Sequence, residues 1–519
     1  MKETTSTKKT VAVIDIGTSG IRMVVAELGP KTEVRYLENL QKPVRFGKDV
    51  FTTGRISTKV MREGIEILKN FKALAENYAV HKLHAIATSA VREAANRDNF
   101  IDQIFVRTGL DVEILEGAEE NRLELIAVEH AVQDKLDLSK KNCLIVEVGS
   151  GSTEVIVLNQ GQVEVTRTLS LGSVRLPERL ESSVGDPAMM SRILKRSIHD
   201  VVMYAAREYN FNQVDTFIAL GADMRLVAQQ LVEKIEGRFT VIEKKAFLNF
   251  VARSAKVQPE DLVKQYGISF ADAENLAPSL LIYSNFLQET QVEQLVIPIV
   301  SIRDGILLEM AQMFSGYKRT DLAKQVLNSA KHLGQKFQYD KAHAACVASL
   351  AVKLFDGLTE DHGLGSRERL LLEVAALLHD IGTYVSPSGH HKHSSYLVDA
   401  SDIFGLRKTH KSIVSNVVRY HRRAVPKASH VPYMSLTKQD RAVVTKLAAI
   451  LRVSDGLDHS HQQKIRNFQL VRTEQAYTLW VPDETGDVSL ERYSLNRKGV
   501  MFADVFGAPV NLKQGSPKG

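Results

Sequence analysis

Residues 143–158 read CLIVEVGSGSTEVIVL. Gly149, Ser150, Gly151 and Ser152 place backbone N–H groups and hydroxyls at one tip with almost no side-chain bulk, a composition suited to a concavity for phosphate oxygens. The carboxylates Glu147 and Glu154 bracket that tip. Alone, the segment is equally an ordinary glycine turn. A second copy of the plan stands near the N-terminus, where VAVIDIGTSGIRMVVAEL, residues 11–28, carries Asp15, then Gly17, Thr18, Ser19 and Gly20, then Arg22. Two small-residue tips, each opened by an acidic residue, predict an internal duplication in which both tips surround one polyphosphate. Asp15, Glu147 and Glu154 would then be free to hold a hydrated Mg²⁺.

Strands must hold these tips. The β-branched runs 11–14, 21–28, 144–148 and 155–158 flank them, which predicts strand, tight loop, strand rather than the opening of a βαβ unit. Ser57 is placed to cap a helix with Met61, Ile65, Leu68, Phe71 and Ala75 on one face. Residues 83–100, LHAIATSAVREAANRDNF, run from a short strand into a helix, with Thr88 and Ser89 at the junction. Arg92, one turn inside, either meets an anion held at the helix N-terminus or stands solvated beside Glu93. A strand at 112–115 leads into a helix with Leu123, Ile126 and Ala127 inward. Glu119 and Glu120 lie in its first turn, where acidic residues ordinarily only complement the helix dipole. A strand at 163–169 completes a meander. A long helix over 188–209 follows, with Met190, Ile193, Ile198, Val201, Val202 and Ala205 among its apolar positions, and then a strand at 216–220.

The length of 519 residues suits about three or four domains. With 44% hydrophobic and 25% charged residues, the composition is that of a soluble globular protein, and no apolar run approaches the roughly 18 residues of a membrane span. The opening MKETTSTKKT lacks the apolar core of a secretory signal, so the expected location is the cytoplasm. Cys143 and Cys346, in a predicted strand and a predicted helix, make no disulfide framework and fit a reducing compartment. A net charge of +6 mildly favours an anionic partner but is too dilute to identify nucleic acid.

From about residue 318 to 459 the pattern is almost all helix. His343 shares an apolar face with Val347, Leu350 and Leu354, His379 with Leu372 and Ala376, and Asp455 with Val444, Leu447 and Leu451. A buried ionisable group must be paired or bind a metal. Asp380 adjoins His379, and His391, His393 and His421 are further candidates. Beyond 464, strands are expected at 468–471, 476–481 and 500–505.

The paired tips resemble those of the actin-like phosphotransferase superfamily, specifically its exopolyphosphatase/guanosine pentaphosphate phosphohydrolase (Ppx/GppA) branch. The set His343, His379, Asp380 and Asp455 resembles the HD superfamily of metal-dependent phosphohydrolases. The resemblance implies an α/β architecture: a disordered tail at 1–10, then two actin-like (ribonuclease H-like) domains facing a cleft, at 11–127 and 128–314. An all-α HD-like domain at 315–462 and a small C-terminal α+β domain at 463–519 follow. It also implies hydrolysis of terminal phosphoanhydride bonds in inorganic polyphosphate, with the 5′-terminal phosphate of guanosine pentaphosphate as a second substrate, by a homodimer without membrane or specific nucleic-acid partners.

By the same resemblance Glu120, in a stretch similar to the family's GxEEAR with Asn121 in place of Ala, is the catalytic base, and Arg92 lines the phosphate channel with Arg22. Gly17, Thr18, Ser19, Gly149, Ser150, Gly151, Ser152 and Thr153 cradle phosphates, and Asp15, Glu147 and Glu154 hold Mg²⁺. Arg303, Asp304 and Gly305 resemble the segment that closes the second domain, while Gly221, Ala222 and Asp223 are a thin nucleotide signature that favours hydrolase over kinase. Two departures stand out: Thr18, Ser19 and Gly20 where the family has S-N-S, and Glu147 and Ser150 where it has Asp and Gly. The helical quartet implies either a second divalent metal or a degenerate fold that supports the dimer and the substrate channel. The rival readings are a nucleotide phosphohydrolase working at the quartet and a non-catalytic sensor of an alarmone or polyphosphate.

Overall fold

The computed structural model describes residues 8–29, 33–181, 187–235, 237–315 and 321–517. The chain divides into two compact units, 1–320 and 321–519.

The first unit contains two sheets built on one plan. Strands β1 (Lys9–Gly17), β2 (Gly20–Leu28), β3 (Val34–Pro43), β4 (Lys82–Ala87) and β5 (Val112–Ile114) form a sheet in the order β3-β2-β1-β4-β5. The second sheet comprises β6 (Cys143–Val148), β7 (Thr153–Asn159), β8 (Gln162–Leu169), β9 (Thr216–Leu220), β10 (Phe239–Glu243) and β11 (Gln294–Pro298), in the order β10-β11-β9-β6-β7-β8. In each, three antiparallel strands lead and two parallel strands add beside the first, and in the second sheet β10 closes the edge antiparallel to β11. The duplication expected from the two tips is therefore present in the backbone. Strand β1 starts at Lys9, which pairs with Leu28, so Lys9 and Thr10 belong to the sheet rather than to a tail. Residues 1–7 lie outside the described residues.

The central strand β1 is buried on both faces, and each face has its own cover. One side packs under the helix Thr58–Asn77, capped by the Ser57 hydroxyl accepting from the Val60 N–H, with Ile65, Leu68 and Phe71 inward. The other side meets Ile306, Leu307, Met310 and Ala311 of the helix Ile302–Ser315. Position in the chain alone would assign that helix to the second domain. Its apolar residues instead return to Val11 and Val13 of the first sheet, so the first lobe is discontinuous and includes this helix as well as the segment expected up to 127. It lies against the helix Gly117–Val132 so closely that a Cβ on Gly305 would run into the Leu123 carbonyl oxygen. Arg122 clamps the pair, bonding Glu119 at 2.8 Å and Glu309 at 2.9 Å, which gives Glu119 a structural task.

The helix expected across 83–100 is broken into Ser89–Glu93 and Arg97–Thr108, with Ala94 extended between them. The Asn96 amide accounts for the break, since it bonds both the N–H and the C=O of Ile56 at 3.0 and 2.9 Å. In the second lobe Ile198, Val202 and Ala205 of the helix Pro187–Glu208 reach the core; the Met190 side chain lies outside the described residues.

In the second unit, the helices Lys341–Gly357, Ser366–Leu378, Lys408–Arg419 and Lys438–Gly456 surround one core. A sheet of β12 (Gln469–Arg472), β13 (Tyr477–Val481) and β14 (Val510–Gln514) contributes Leu479, Val481 and Leu512 to that same core, so 463–519 is not a separate domain. The strand expected at 500–505 is a helix, Val500–Phe506, with Met501 and Phe502 buried and Val505 and Phe506 one turn on; Gly507 ends it at φ +80°. Among the described residues no helix is long and apolar enough to cross a membrane.

Candidate active site

The two tips meet across the cleft of the first unit. The Thr18 hydroxyl lies 2.9 Å from that of Ser89, and Ser150 Oγ donates to Ser19 Oγ at 3.3 Å. Ser19 and Ser150, each a departure from the family pattern, thus touch one another. Gly151 packs so tightly that a Cβ there would overlap the Ser89 hydroxyl and come within 2.9 Å of Thr18 Oγ1 and the Phe51 ring. Arg175 fastens the second tip: it donates to the Gly151 carbonyl, bonds Glu93 of the first lobe at 2.8 Å and lies 4.3 Å over the Phe51 ring. The backbone N–H groups of Val174 and Arg175 hold the Ser150 carbonyl at 2.9 and 3.1 Å. The cleft walls include Gly17, Thr18, Ser19, Arg22, Gly149, Ser150, Gly151 and Ser152, as expected. Two expected residues are not among them: Arg92, whose guanidinium is taken up by Glu120 and the Leu115 carbonyl, and Thr153, whose wholly buried hydroxyl alternation along β7 turns to the Leu171 carbonyl, which accepts at 2.6 Å.

Carboxylates crowd the floor: Asp15, Glu120, Glu124, Glu147 and Glu154. In the β1–β2 register Asp15 faces Arg22, 3.8 Å away, and Arg303 approaches it at 3.3 Å. The equivalent pair in the second hairpin is Glu147 opposite Glu154, two acids where the first has an acid and a base. Glu154 accepts from the Ser152 hydroxyl at 2.7 Å. Glu120 pairs with Arg92, which also donates to the Leu115 carbonyl.

Burial raises the Glu120 carboxyl above its ordinary range against the pull of Arg92, and raises Glu147 likewise. Glu154 is pushed further up by burial and by the charge of Glu120, and Glu124 by burial and by Glu147, with which it shares a hydrogen bond. Burial also pushes Asp223, on the cleft wall, up to about 6. The buried oxygens Asp15 Oδ1 and Glu147 Oε2 have no hydrogen-bond partner. A hydrated Mg²⁺ takes oxygen ligands, so these two orphaned oxygens, in a set where carboxylates raise one another's pKa, fit such an ion. Glu154, already bonded to Ser152, stands beside them.

Three contributors were not anticipated as site residues. Glu124 lies one turn beyond Glu120 on the same helix face, a spacing visible in the sequence. Arg225, which donates to the Val300 carbonyl at 2.8 Å, and Arg303 come from distant segments that only the fold brings in.

In the second unit, His343, His379 and Asp380 converge, with ligand atoms within 4.8 Å of one another. Asp455, the fourth member expected, lies 3.8 Å from His343 Nε2, and its other oxygen is taken by Lys498. His421 joins the cluster through Asp380, as does His390, which the sequence pattern does not single out; His391 and His393 fall outside both ligand groups. Burial lowers the His379 imidazole to about 4.

Residues 24–314 match the model of the Ppx/GppA phosphatase family, and residues 327–498 that of Ppx/GppA phosphatase domain III. The chain is 23% identical over 479 residues, 91% of each chain, to the guanosine-5′-triphosphate,3′-diphosphate pyrophosphatase of Photobacterium profundum. Among solved structures it is similar to an exopolyphosphatase from Cytophaga hutchinsonii, with 21% identity, a TM-score of 0.54 and coverage of 60% of this chain and 99% of that one. An exopolyphosphatase-like protein gives 20% identity, a TM-score of 0.53 and coverage of 59% and 98%. These likenesses place the first unit in the two-lobed actin-like fold.

Proposed function

The chain belongs to the Ppx/GppA phosphatase family, and from that premise we propose that it is an exopolyphosphatase that removes the terminal phosphoryl group of inorganic polyphosphate, with guanosine pentaphosphate as a second substrate. The observation that carries this reading is the meeting of both small-residue tips beside the Glu120–Arg92 pair and the carboxylate floor. In this scheme the tips hold the terminal phosphates through backbone N–H groups and the hydroxyls of Thr18, Ser19, Ser150 and Ser152. Glu120 orients a water and takes its proton as the oxygen attacks phosphorus, and the bond to the shortened chain breaks. Arg22 and Arg92 balance the charge that spreads over the phosphoryl oxygens. Mg²⁺, held by Asp15 and Glu147 with Glu154 alongside, would supply further charge neutralisation.

An elongated substrate is supported by the cavity next to the cleft. Arg225, Ser301 and Arg303 line both, and Arg238 extends the cationic wall beyond them, donating to the His130 ring. The names of the relatives agree with the two substrates proposed. Phosphate release measured side by side on polyphosphate and guanosine pentaphosphate, with Mg²⁺, is expected to be clear on at least the first. Folded protein that releases phosphate from neither would favour the sensor reading.

The carboxylate floor predicts how stability depends on metal and pH. Glu124 and Glu154 have folded pKa values above their unfolded ones, so their protonated forms contribute stability that is full below the unfolded pKa, about 4.3, and is lost as pH rises through the folded values. A divalent ion beside them, on Asp15 and Glu147, offsets that loss by balancing the charge of the deprotonated carboxylates. Thermal unfolding followed with and without Mg²⁺ should therefore show a larger Mg²⁺-dependent rise in Tm at about pH 8 than at about pH 5. Equal shifts at both would remove the floor as the ion's site.

A further inference from the structure

The histidine cluster of the second unit shares no residue with the cleft. Its hydrogen bonds determine which ring nitrogen carries the proton. His379 Nδ1 lies 2.8 Å from the Ala376 carbonyl, His421 Nδ1 2.6 Å from that of Val418 and His390 Nδ1 3.1 Å from that of Pro387. A carbonyl only accepts, so each Nδ1 donates, and in a neutral imidazole the Nε2 is then a bare lone pair. His343 follows the same pattern with the Asp458 carboxylate at 2.8 Å, itself held by the Gln463 N–H at 2.7 Å.

All four Nε2 atoms face Asp380. Those of His343 and His379 are 3.2 Å apart, and those of His390 and His421 3.3 Å. Asp380 Oδ2 lies 3.9 Å from the first and 3.6 Å from the second; Oδ1 lies 3.2 and 3.4 Å from His390 and His421. With the rings neutral, four acceptor nitrogens around a carboxylate leave no donor among them, and Asp380 Oδ1 is buried without a hydrogen-bond partner. Two cations placed between the paired nitrogens and the two carboxylate oxygens satisfy every one of these atoms.

We propose that the second unit holds a dinuclear metal centre bridged by Asp380, one ion on His343, His379 and Oδ2, the other on Oδ1, His390 and His421. This exceeds the single ion expected from the quartet, since it adds a subsite that contains His390 and leaves Asp455, neutralised by Lys498, on the flank. Sets of two imidazoles and one carboxylate oxygen select first-row transition ions over Mg²⁺. The Nδ1 partners orient the rings as outer-shell groups do in metal sites. Three protein ligands per ion leave open positions. With the Asp380 and His390 side chains 20% and 15% exposed, that opening faces solvent and suits a bridging phosphoryl oxygen.

The test uses the full-length protein, stripped with chelator and titrated with Co²⁺ in a constant excess of Mg²⁺ that keeps the oxygen-ligand site of the cleft occupied, with the visible absorption of the imidazole-bound ion as readout. Absorption should rise to saturation at about two equivalents per chain in the wild type and at about one in a His390→Ala, His421→Ala double variant. Saturation at one equivalent or none in the wild type overturns the proposal, and this measurement depends on no variant's folding. Saturation of a folded double variant at the wild-type value overturns the second subsite. Neither readout involves phosphate release, so the outcome is independent of the function assigned to the cleft.

Discussion

Glu120→Gln should lower turnover by about 10²- to 10⁴-fold while leaving substrate affinity within a few-fold. Gln keeps the size of Glu and can still accept from Arg92, so the pair that seats the side chain survives. Basicity alone is lost. If Glu120 served only to hold Arg92, the amide would do nearly as well and turnover would stay within a few-fold of wild type. The pH profile separates the two roles a second time. The wild-type acid limb should sit above the ordinary carboxylate range of about 4.3, because burial raises the Glu120 carboxyl, and that limb should vanish in the variant. An acid limb retained in Glu120→Gln would pass the role of base to another group, with Glu124 the nearest on the same helix face.

Gly151→Ala should be almost as damaging through geometry alone. Its methyl would overlap the Ser89 hydroxyl and crowd Thr18 and Phe51, so one tip must retreat from the other. A misplacement of about 1 Å at groups that position a reacting phosphoryl costs on the order of 10² in kcat/KM. Combining it with Ser89→Gly, which removes the overlapped hydroxyl, should recover part of that loss. The double variant as inactive as the single, with both proteins folded by circular dichroism, would mean that the closed meeting of the tips is not the working arrangement.

Much of this was readable in the chain because the informative residues are contiguous. Each tip lies within a hairpin of twenty residues or fewer, so the small residues, the flanking β-branched runs and the acids appear together. The roles proposed for Glu120 and Arg92 rest on family resemblance, and their helices show why periodicity was silent. The helix Gly117–Val132 lies between both sheets and buries polar and apolar residues alike from Ala118 to Val128, leaving no amphipathic contrast to mark Glu124 as unusual. Arg303 stands 288 residues from the carboxylate it approaches, a separation that no local pattern spans. The run at 500–505 shows a different limit: a short apolar stretch suits strand or helix equally, and the choice was made by packing of Met501 and Phe502 into a core shared with the helices. His390 lay hidden in a polar HHKH segment that reads as surface until the fold sets it beside Asp380.

The close contact of the helices Gly117–Val132 and Ile302–Ser315 also governs how the first unit can move. The chain passes between the lobes once after each sheet's share of strands, and both passages run through this helix pair, which Gly305 and Arg122 hold nearly in backbone contact. Two bodies joined along such a seam keep one rotation and lose free sliding and separation. Glu120 and Arg303 sit at the starts of the two seam helices and so turn through short arcs, whereas Ser19 and Ser150 sit at the tips and sweep longer ones. On the function proposed above, opening for product release would therefore part the tips while Glu120 and the cations around Asp15 keep their mutual spacing, so each cycle need rebuild only the contacts between the tips.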